Sequence, residues 1–425
     1  MHQKILRTFW SLSIENLLRV FFGAFASIWL GRYLGPLAYG DFSYVLSFVL
    51  VFSPFTNLGL NEIVVSELVK GNSSQNELLG AGFYLKLGSG VVGVILCNAA
   101  AFFLDNSPTV RILILVYSVF FLLKSFDVIE YYYLSINRIS RLAYYRTLAV
   151  FVSIIFKIIF ILLKLHWSYF IYLSAIEISA YAIVYVIYYK IDGHEYRWKF
   201  SRKEVGRLLK LSYPVFFIIF FNMLQIRIDH LMISKMLGTL ALGEYAVVVK
   251  IGEILNFIPL AISASLYPKL VSSLKTHGDD GKWSTLYFGS FFIVAVIMYL
   301  GLATLGGIGI SILYGPRFEL APSIIGTYAI QLFFSYLFLA QTRYILAKER
   351  LWSFLPLAFL AVLLNFFLNL YFIKTIGIKG AVYASAISYA LPSLVGVFYH
   401  RETQESLRYY FNVFSFIKAL KSLKN

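Results

Sequence analysis

Charge, cysteine and long polar segments are all scarce in this chain of 425 residues. Asp, Glu, Lys and Arg make up 14% of it, against roughly 25% in a soluble domain, which argues against a water-facing globule. A single cysteine, Cys97, excludes an intrachain disulfide and leaves the redox compartment open. No Gly-rich loop ending in Gly-Lys-Ser or Gly-Lys-Thr occurs, so nucleotide hydrolysis is not indicated as an energy source. No polar stretch is long enough for a soluble domain; the most extended lies near 190–210.

Apolar residues fill the remainder: 60% of the chain is hydrophobic and 18% aromatic, with a mean hydropathy of +0.76. A helix crossing a bilayer needs about 20 apolar residues. Such runs fall near 9–31, 42–65, 78–103, 109–133, 143–163, 168–189, 211–236, 243–267, 284–306, 320–342, 351–373 and 379–399. Barrel strands would alternate apolar and polar residues, whereas Val150-Phe151-Val152-Ser153-Ile154-Ile155-Phe156 does not alternate. The expected fold is therefore an all-α integral membrane protein of about 12 transmembrane helices. Lys4 and Arg7 before Ala24-Phe25-Ala26 resemble a cleavable leader, but Glu15 and Arg19 interrupt the apolar core, so a retained first span is expected.

Basic residues outnumber acidic ones, 37 to 21, giving a net charge of +16. Most of them fall on alternate connecting segments, with Arg32, Arg111, Lys164, Lys235, Arg317, Lys374 and Lys379 on the opposite side. That asymmetry follows the positive-inside rule, places both termini in the cytoplasm and accounts for the charge without nucleic acid.

A turn is repeated half a chain apart. Leu34-Gly35-Pro36-Leu37-Ala38-Tyr39-Gly40-Asp41-Phe42 returns as Leu237-Gly238-Thr239-Leu240-Ala241-Leu242-Gly243-Glu244-Tyr245. With six spans per half the repeat is parallel, a pattern typical of transporters whose substrate crosses between halves. The expected division is a first lobe at 1–190, a basic cytoplasmic segment at 191–210, a second lobe at 211–399 and an amphipathic cytoplasmic tail at 400–425. Pro54 in span two and Pro259 in span eight are paired helix interruptions.

Each intramembrane charge costs roughly 2.5–3.5 kcal/mol on insertion scales and needs an explanation. Glu15 and Arg19, Lys124 and Asp127, and Lys250 and Glu253 share helix faces and can neutralise one another. Lys157 and Glu177 flank the Leu165–Trp167 turn at similar depth. Arg227 and Asp229 point about 200° apart and cannot pair within one helix; Lys86 has no acidic neighbour on its own helix. Span seven also carries Asn222, Gln225 and His230, the last reading equally well as a packing residue or a proton site. Asn365 and Asn369 share a face that suits either sugar hydroxyls or helix–helix hydrogen bonds. A cavity holding an anion accounts for cations on spans one and seven, between which the path is expected to run.

Gly31-Arg32-Tyr33-Leu34-Gly35-Pro36-Leu37-Ala38-Tyr39-Gly40, Asn57-Leu58-Gly59-Leu60, Leu364-Asn365-Phe366-Phe367-Leu368-Asn369 and Ile376-Gly377-Ile378-Lys379-Gly380-Ala381 together resemble the bacterial polysaccharide repeat-unit (O-antigen, Wzx-type) flippases. The resemblance covers nearly the whole chain and implies two parallel six-helix lobes of the multidrug, oligosaccharidyl-lipid and polysaccharide exporter superfamily. It further implies a bacterial inner-membrane protein that moves an undecaprenyl-diphosphate-linked oligosaccharide to the outer leaflet without a cofactor, with a polysaccharide polymerase or chain-length regulator as possible partner. On this reading Arg19, Lys86, Arg227, Lys250, Asn365 and Asn369 bind substrate, and Glu15 and Asp229 are ion-coupling acids. The alternatives are a membrane-embedded polymerase or glycosyltransferase, disfavoured by short external segments, and a multidrug exporter, whose typically cationic cargo fits poorly with Arg227 and Lys86.

Overall fold

A computed structural model describes residues 2–104, 107–195, 198–276, 281–348, 351–399, 409–410 and 416; the side chains of 2–21, 276, 351, 353–354 and 392–399 are excluded from that description. Every regular element among the described residues is helical. In chain order they are α1 (His2–Val51), α2 (Pro54–Asn57), α3 (Leu60–Lys70), α4 (Gln75–Phe103), α5 (Pro108–Ser118), α6 (Phe120–Leu123), a 3-10 turn (Lys124–Asp127), α7 (Val128–Ser135), α8 (Ser140–Leu162) and α9 (Trp167–Ile191). There follow α10 (Arg202–Leu237), α11 (Thr239–Leu255), α12 (Phe257–Thr276), α13 (Lys282–Tyr314), α14 (Ala321–Ala347), α15 (Leu351–Ile376) and α16 (Ile378–Tyr399).

Ten stretches among the described residues are long and apolar enough to cross a membrane. The twelve expected spans map onto these helices because α1 is broken at Gly35 into spans one and two, and α16 supplies the last. Span two is itself interrupted before Pro54 and again at Leu58 and Gly59, both with positive φ. Span eight is interrupted at Asn256, three residues before Pro259. Each proline thus stands in the first turn of a new helix, where its missing N–H costs little.

The helices form two compact units, one of residues 1–34 and 41–223, the other of residues 35–40 and 224–425. The first is centred on Leu60, Val64, Leu78, Val128, Tyr133 and Tyr189, all buried. The second has a cluster around Leu270, Tyr287, Phe288, Phe291 and Tyr344. Tyrosines fill these interiors as packing residues; Tyr133, Tyr189, Tyr245, Tyr287, Tyr314, Tyr336 and Tyr344 are among the largest fully buried side chains.

Packing divides the chain inside α10, between residues 223 and 224, and not at the basic segment 191–210. The reason is that this segment folds onto the first unit. The Lys199 N–H donates to the Asn76 carbonyl at 3.1 Å, and Trp198 lies against Phe83 and Tyr189. Arg207 binds Glu67, Glu204 and Ser73, and Phe216 and Phe220 of α10 pack on Phe55. The expected tail at 400–425 lies outside the described residues except for Tyr409, Tyr410 and Phe416. Of these, Tyr410 is buried against Phe288 and donates to the Leu337 carbonyl at 2.8 Å.

The repeated turn is the same object twice. Gly35 has φ 73° and ψ 175°, and Gly238 has φ 94° and ψ 170°, a region essentially restricted to glycine. Its later glycines make a reciprocal crossing within the second unit. A Cβ on Gly40 would lie 1.7 Å from the Thr239 carbonyl oxygen, and one on Gly243 would lie 1.8 Å from that of Pro36. Pro36 and Thr239 are themselves equivalent positions of the repeat, so each copy rests its second glycine on the other's first helical residue. The acid of the second copy acts on a different helix. Buried Glu244 accepts the Glu319 and Ala321 N–H groups at 3.0 and 2.7 Å on its carboxylate. It thereby satisfies unpaired amides at the start of α14 and opposes the positive end of its dipole.

Candidate functional site

The second unit carries its polar groups on the hairpin of α10 and α11, folded about Gly238. Arg227 lies 11 residues before that turn and Lys250 lies 12 after it. At 1.5 Å rise per residue both sit about 17 Å from the turn, near the middle of a roughly 30 Å hydrocarbon layer. Equal depth brings both cations to one carboxylate. Arg227 Nη2 is 2.9 Å from Glu253 Oε1, and Lys250 Nζ is 3.0 Å from Glu253 Oε2. The three side chains retain 18%, 31% and 29% exposure for Arg227, Lys250 and Glu253, so this +1 cluster is partly open. The expectation that Arg227 lacks a partner is therefore corrected: the partner comes from the neighbouring helix.

One half-turn away on α10, Asp229 faces the interior and is 1% exposed. Tyr245 donates to Oδ2 at 2.9 Å, Asn369 Nδ2 donates to Oδ1 at 2.8 Å, and the Ser385 hydroxyl donates to Oδ2. Asn365 Nδ2 donates to the Ser385 oxygen at 2.7 Å, and Asn369 Nδ2 also reaches Asn365 Oδ1 at 3.0 Å. Among the described residues no Lys or Arg forms an ion pair with Asp229, and Asn369 Oδ1 is buried without a donor. A carboxylate surrounded by neutral donors and other oxygens, with an acceptor left over, has the composition suited to a proton or a hard cation. Asn365 and Asn369, candidates for sugar binding, are 0% exposed and belong to this network instead. His230 is buried beside Tyr245, its ring centroid 5.2 Å away, with Nδ1 unpartnered among the described residues.

In the first unit Lys86, expected to be unpaired and to face substrate, is 1% exposed. Its ammonium donates to Asp127 Oδ2 at 3.1 Å and to the Tyr131 hydroxyl at 2.8 Å, and Tyr131 in turn bonds Asn61. Asp127 also meets Lys124 at 3.5 Å. The 3-10 turn at Lys124–Asp127 carries both Lys124 and Asp127, and the Lys86 ammonium is enclosed between Asp127 and Tyr131. Lys157 meets Glu177 at 2.6 Å, as the folded hairpin requires. Glu15 and Arg19 lie on the backbone of α1, but their side chains lie outside the described residues. Among the described residues no group of three or more His, Cys, Asp or Glu is placed to hold a metal ion.

Long apolar helices in two units, with a sequestered carboxylate and a partly open cationic cluster, define an all-helical multi-pass membrane protein. Solved structures of similar fold bear this out. The lipid II flippase MurJ in an inward closed conformation matches with a TM-score of 0.73 at 15% identity, covering 96% of this chain and 91% of that one. An inward-facing multidrug resistance MATE family transporter of the MOP superfamily matches at 0.69 and 13%, covering 95% and 99%. A MOP superfamily transporter from Pyrococcus furiosus matches at 0.64 and 13%, covering 96% of each. No curated protein matches by sequence. The model of the family described as polysaccharide biosynthesis protein matches residues 5–275, and the chain belongs to that family.

Proposed function

We propose that the chain moves an undecaprenyl-diphosphate-linked oligosaccharide repeat unit from the cytoplasmic to the outer leaflet of a bacterial inner membrane, by alternating access and for O-antigen, capsule or exopolysaccharide synthesis. The observation that carries this reading is the partly open Arg227–Lys250 pair at mid-membrane depth, shared by one carboxylate. Two cations converging on the two oxygens of one carboxylate suit a diphosphate, whose oxygens accept charge-assisted hydrogen bonds from both. The polyprenyl tail needs no protein site because lipid solvates it. Family membership and a flippase-like fold agree with a lipid-linked cargo.

Asp229 is the proposed coupling acid: protonating it, or placing a small cation beside it, changes the charge of a buried network joining α10, α11, α15 and α16. Arg19 and Glu15 remain candidate partners on span one, while Lys86 is better assigned to support. Both termini are assigned to the cytoplasm by the distribution of basic residues. A cationic drug would meet net positive charge at Arg227 and Lys250, which disfavours a multidrug exporter. The test is reconstitution into proteoliposomes with labelled undecaprenyl-diphosphate-linked oligosaccharide. Arg227→Ala and Lys250→Ala should each reduce flipping at least tenfold; full flipping by both variants removes the proposal.

A further inference from the structure

Glu253 does more than neutralise a neighbour. It spends one oxygen on each cation, Oε1 on Arg227 and Oε2 on Lys250, so it bridges two helices as a ligand with two anionic oxygens would. The cluster is also the contrary of the Asp229 network in exposure: all three charges keep an open side, whereas Asp229 is closed off. Two cations at this depth with no anion between them would repel. A bridging carboxylate offsets that repulsion and aims both at one point.

We propose that Glu253 is the resident counter-ion of the diphosphate site, occupying in the unloaded protein the place that phosphoryl oxygens take, and thereby weakening binding enough for release. This rests on the diphosphate reading above. A diphosphate diester carries two negative charges near neutral pH. Arg227 and Lys250 alone would match it, but with Glu253 the cluster offers only one net positive charge. A transporter needs a site favourable enough to load and weak enough to empty. A unit charge about 6 Å from the ligand, at effective dielectric constants between those of a protein surface and water, changes affinity by a few-fold to a hundredfold, centred on about tenfold.

The experiment uses the full chain in detergent micelles with undecaprenyl diphosphate as probe, beside flipping in proteoliposomes and a melting curve for each variant. E253Q, which keeps size and removes charge, should bind about tenfold more tightly than wild type and turn over more slowly. K250Q/E253Q, with the wild-type net charge, should return to near wild-type affinity. E253D, too short to reach both cations, should bind a few-fold more tightly, and this covers the case in which E253Q melts too low to purify. If E253Q and E253D bind no more tightly than wild type while R227Q binds weakly, Glu253 is only a structural ion pair and the inference fails. If R227Q itself binds like wild type, the diphosphate reading fails first.

Discussion

Gly243→Ala should be among the most damaging single-methyl additions in the chain. The new Cβ would sit 1.8 Å from the Pro36 carbonyl oxygen and 2.6 Å from its carbonyl carbon. Ordinary carbon–oxygen contact is about 3.3 Å, so one backbone must retreat by about 1.5 Å. No rotamer can absorb this, because both obstructing atoms belong to the main chain of a helix start. Overpacking a well-filled interior costs about 1–3 kcal/mol even where side chains can adjust, and about 3 kcal/mol is the expectation here. That corresponds to roughly a hundredfold in the folding equilibrium. Gly40→Ala meets the Thr239 oxygen at 1.7 Å and should cost as much. The double variant should cost less than the sum, since one separation of the two turns relieves both clashes. Gly301→Ala is the internal control: it lies in α13 with nothing within 4 Å of the added carbon, and alanine is the better helix former by about 1 kcal/mol. Unfolding free energies in bicelles would separate these variants. Gly243→Ala as stable as Gly301→Ala would refute the close crossing.

Three further outcomes follow from described contacts. Asp229→Ala leaves the donors of Tyr245, Asn369 and Ser385 without their acceptor, so stability should fall by about 1–3 kcal/mol; Asp229→Asn should fold better yet lose the dependence of flipping on an imposed ion gradient, measured in the same proteoliposomes. Lys86→Met should lower the melting temperature, because Asp127 and Tyr131 lose a buried partner, while leaving undecaprenyl diphosphate binding within twofold of wild type. Near the end of α3, hydrogen bonds from Lys70 and then Arg207 hold the Glu67 carboxyl below its ordinary value of 4.5 against the opposing effect of burial. A depressed carboxylate stabilises the fold above its unfolded pKa and loses that contribution as pH falls through the folded value. Melting curves taken from pH 6 down to pH 3.5 should therefore show a loss in wild type that is smaller in Glu67→Gln.

The number and order of spans were legible because apolar length is a direct physical requirement of the bilayer. The repeated Leu-Gly turn was legible as a duplication, and its two glycines indeed share one glycine-restricted conformation. Lys157 and Glu177 were found by folding a hairpin about its turn. The same operation about Gly238 brings Glu253 to Arg227, but pairing sought only along a single helix cannot reveal it. Lys86 and Asp127 were harder. Span four breaks at Val119 and again at Lys124–Asp127 with no proline or glycine to mark either place. Asn365 and Asn369 were placed correctly on one face, yet what that face meets depends on α10 and α16, which no local pattern encodes. The acid of the repeat was visible, whereas its role as an N-terminal cap for α14 required the fold.

Residues 35–40 pack with 224–425 although a long stretch of chain separates them. The two units are therefore not modules that one cut could set apart. A break in the basic segment would release a C-terminal fragment missing the turn on which Gly243 rests, and an N-terminal fragment ending before α10 would lack the aromatic residues that cover Phe55. A gene encoding this chain could have arisen by doubling a shorter one, but it can no longer be split back into two without each product carrying an unfinished surface.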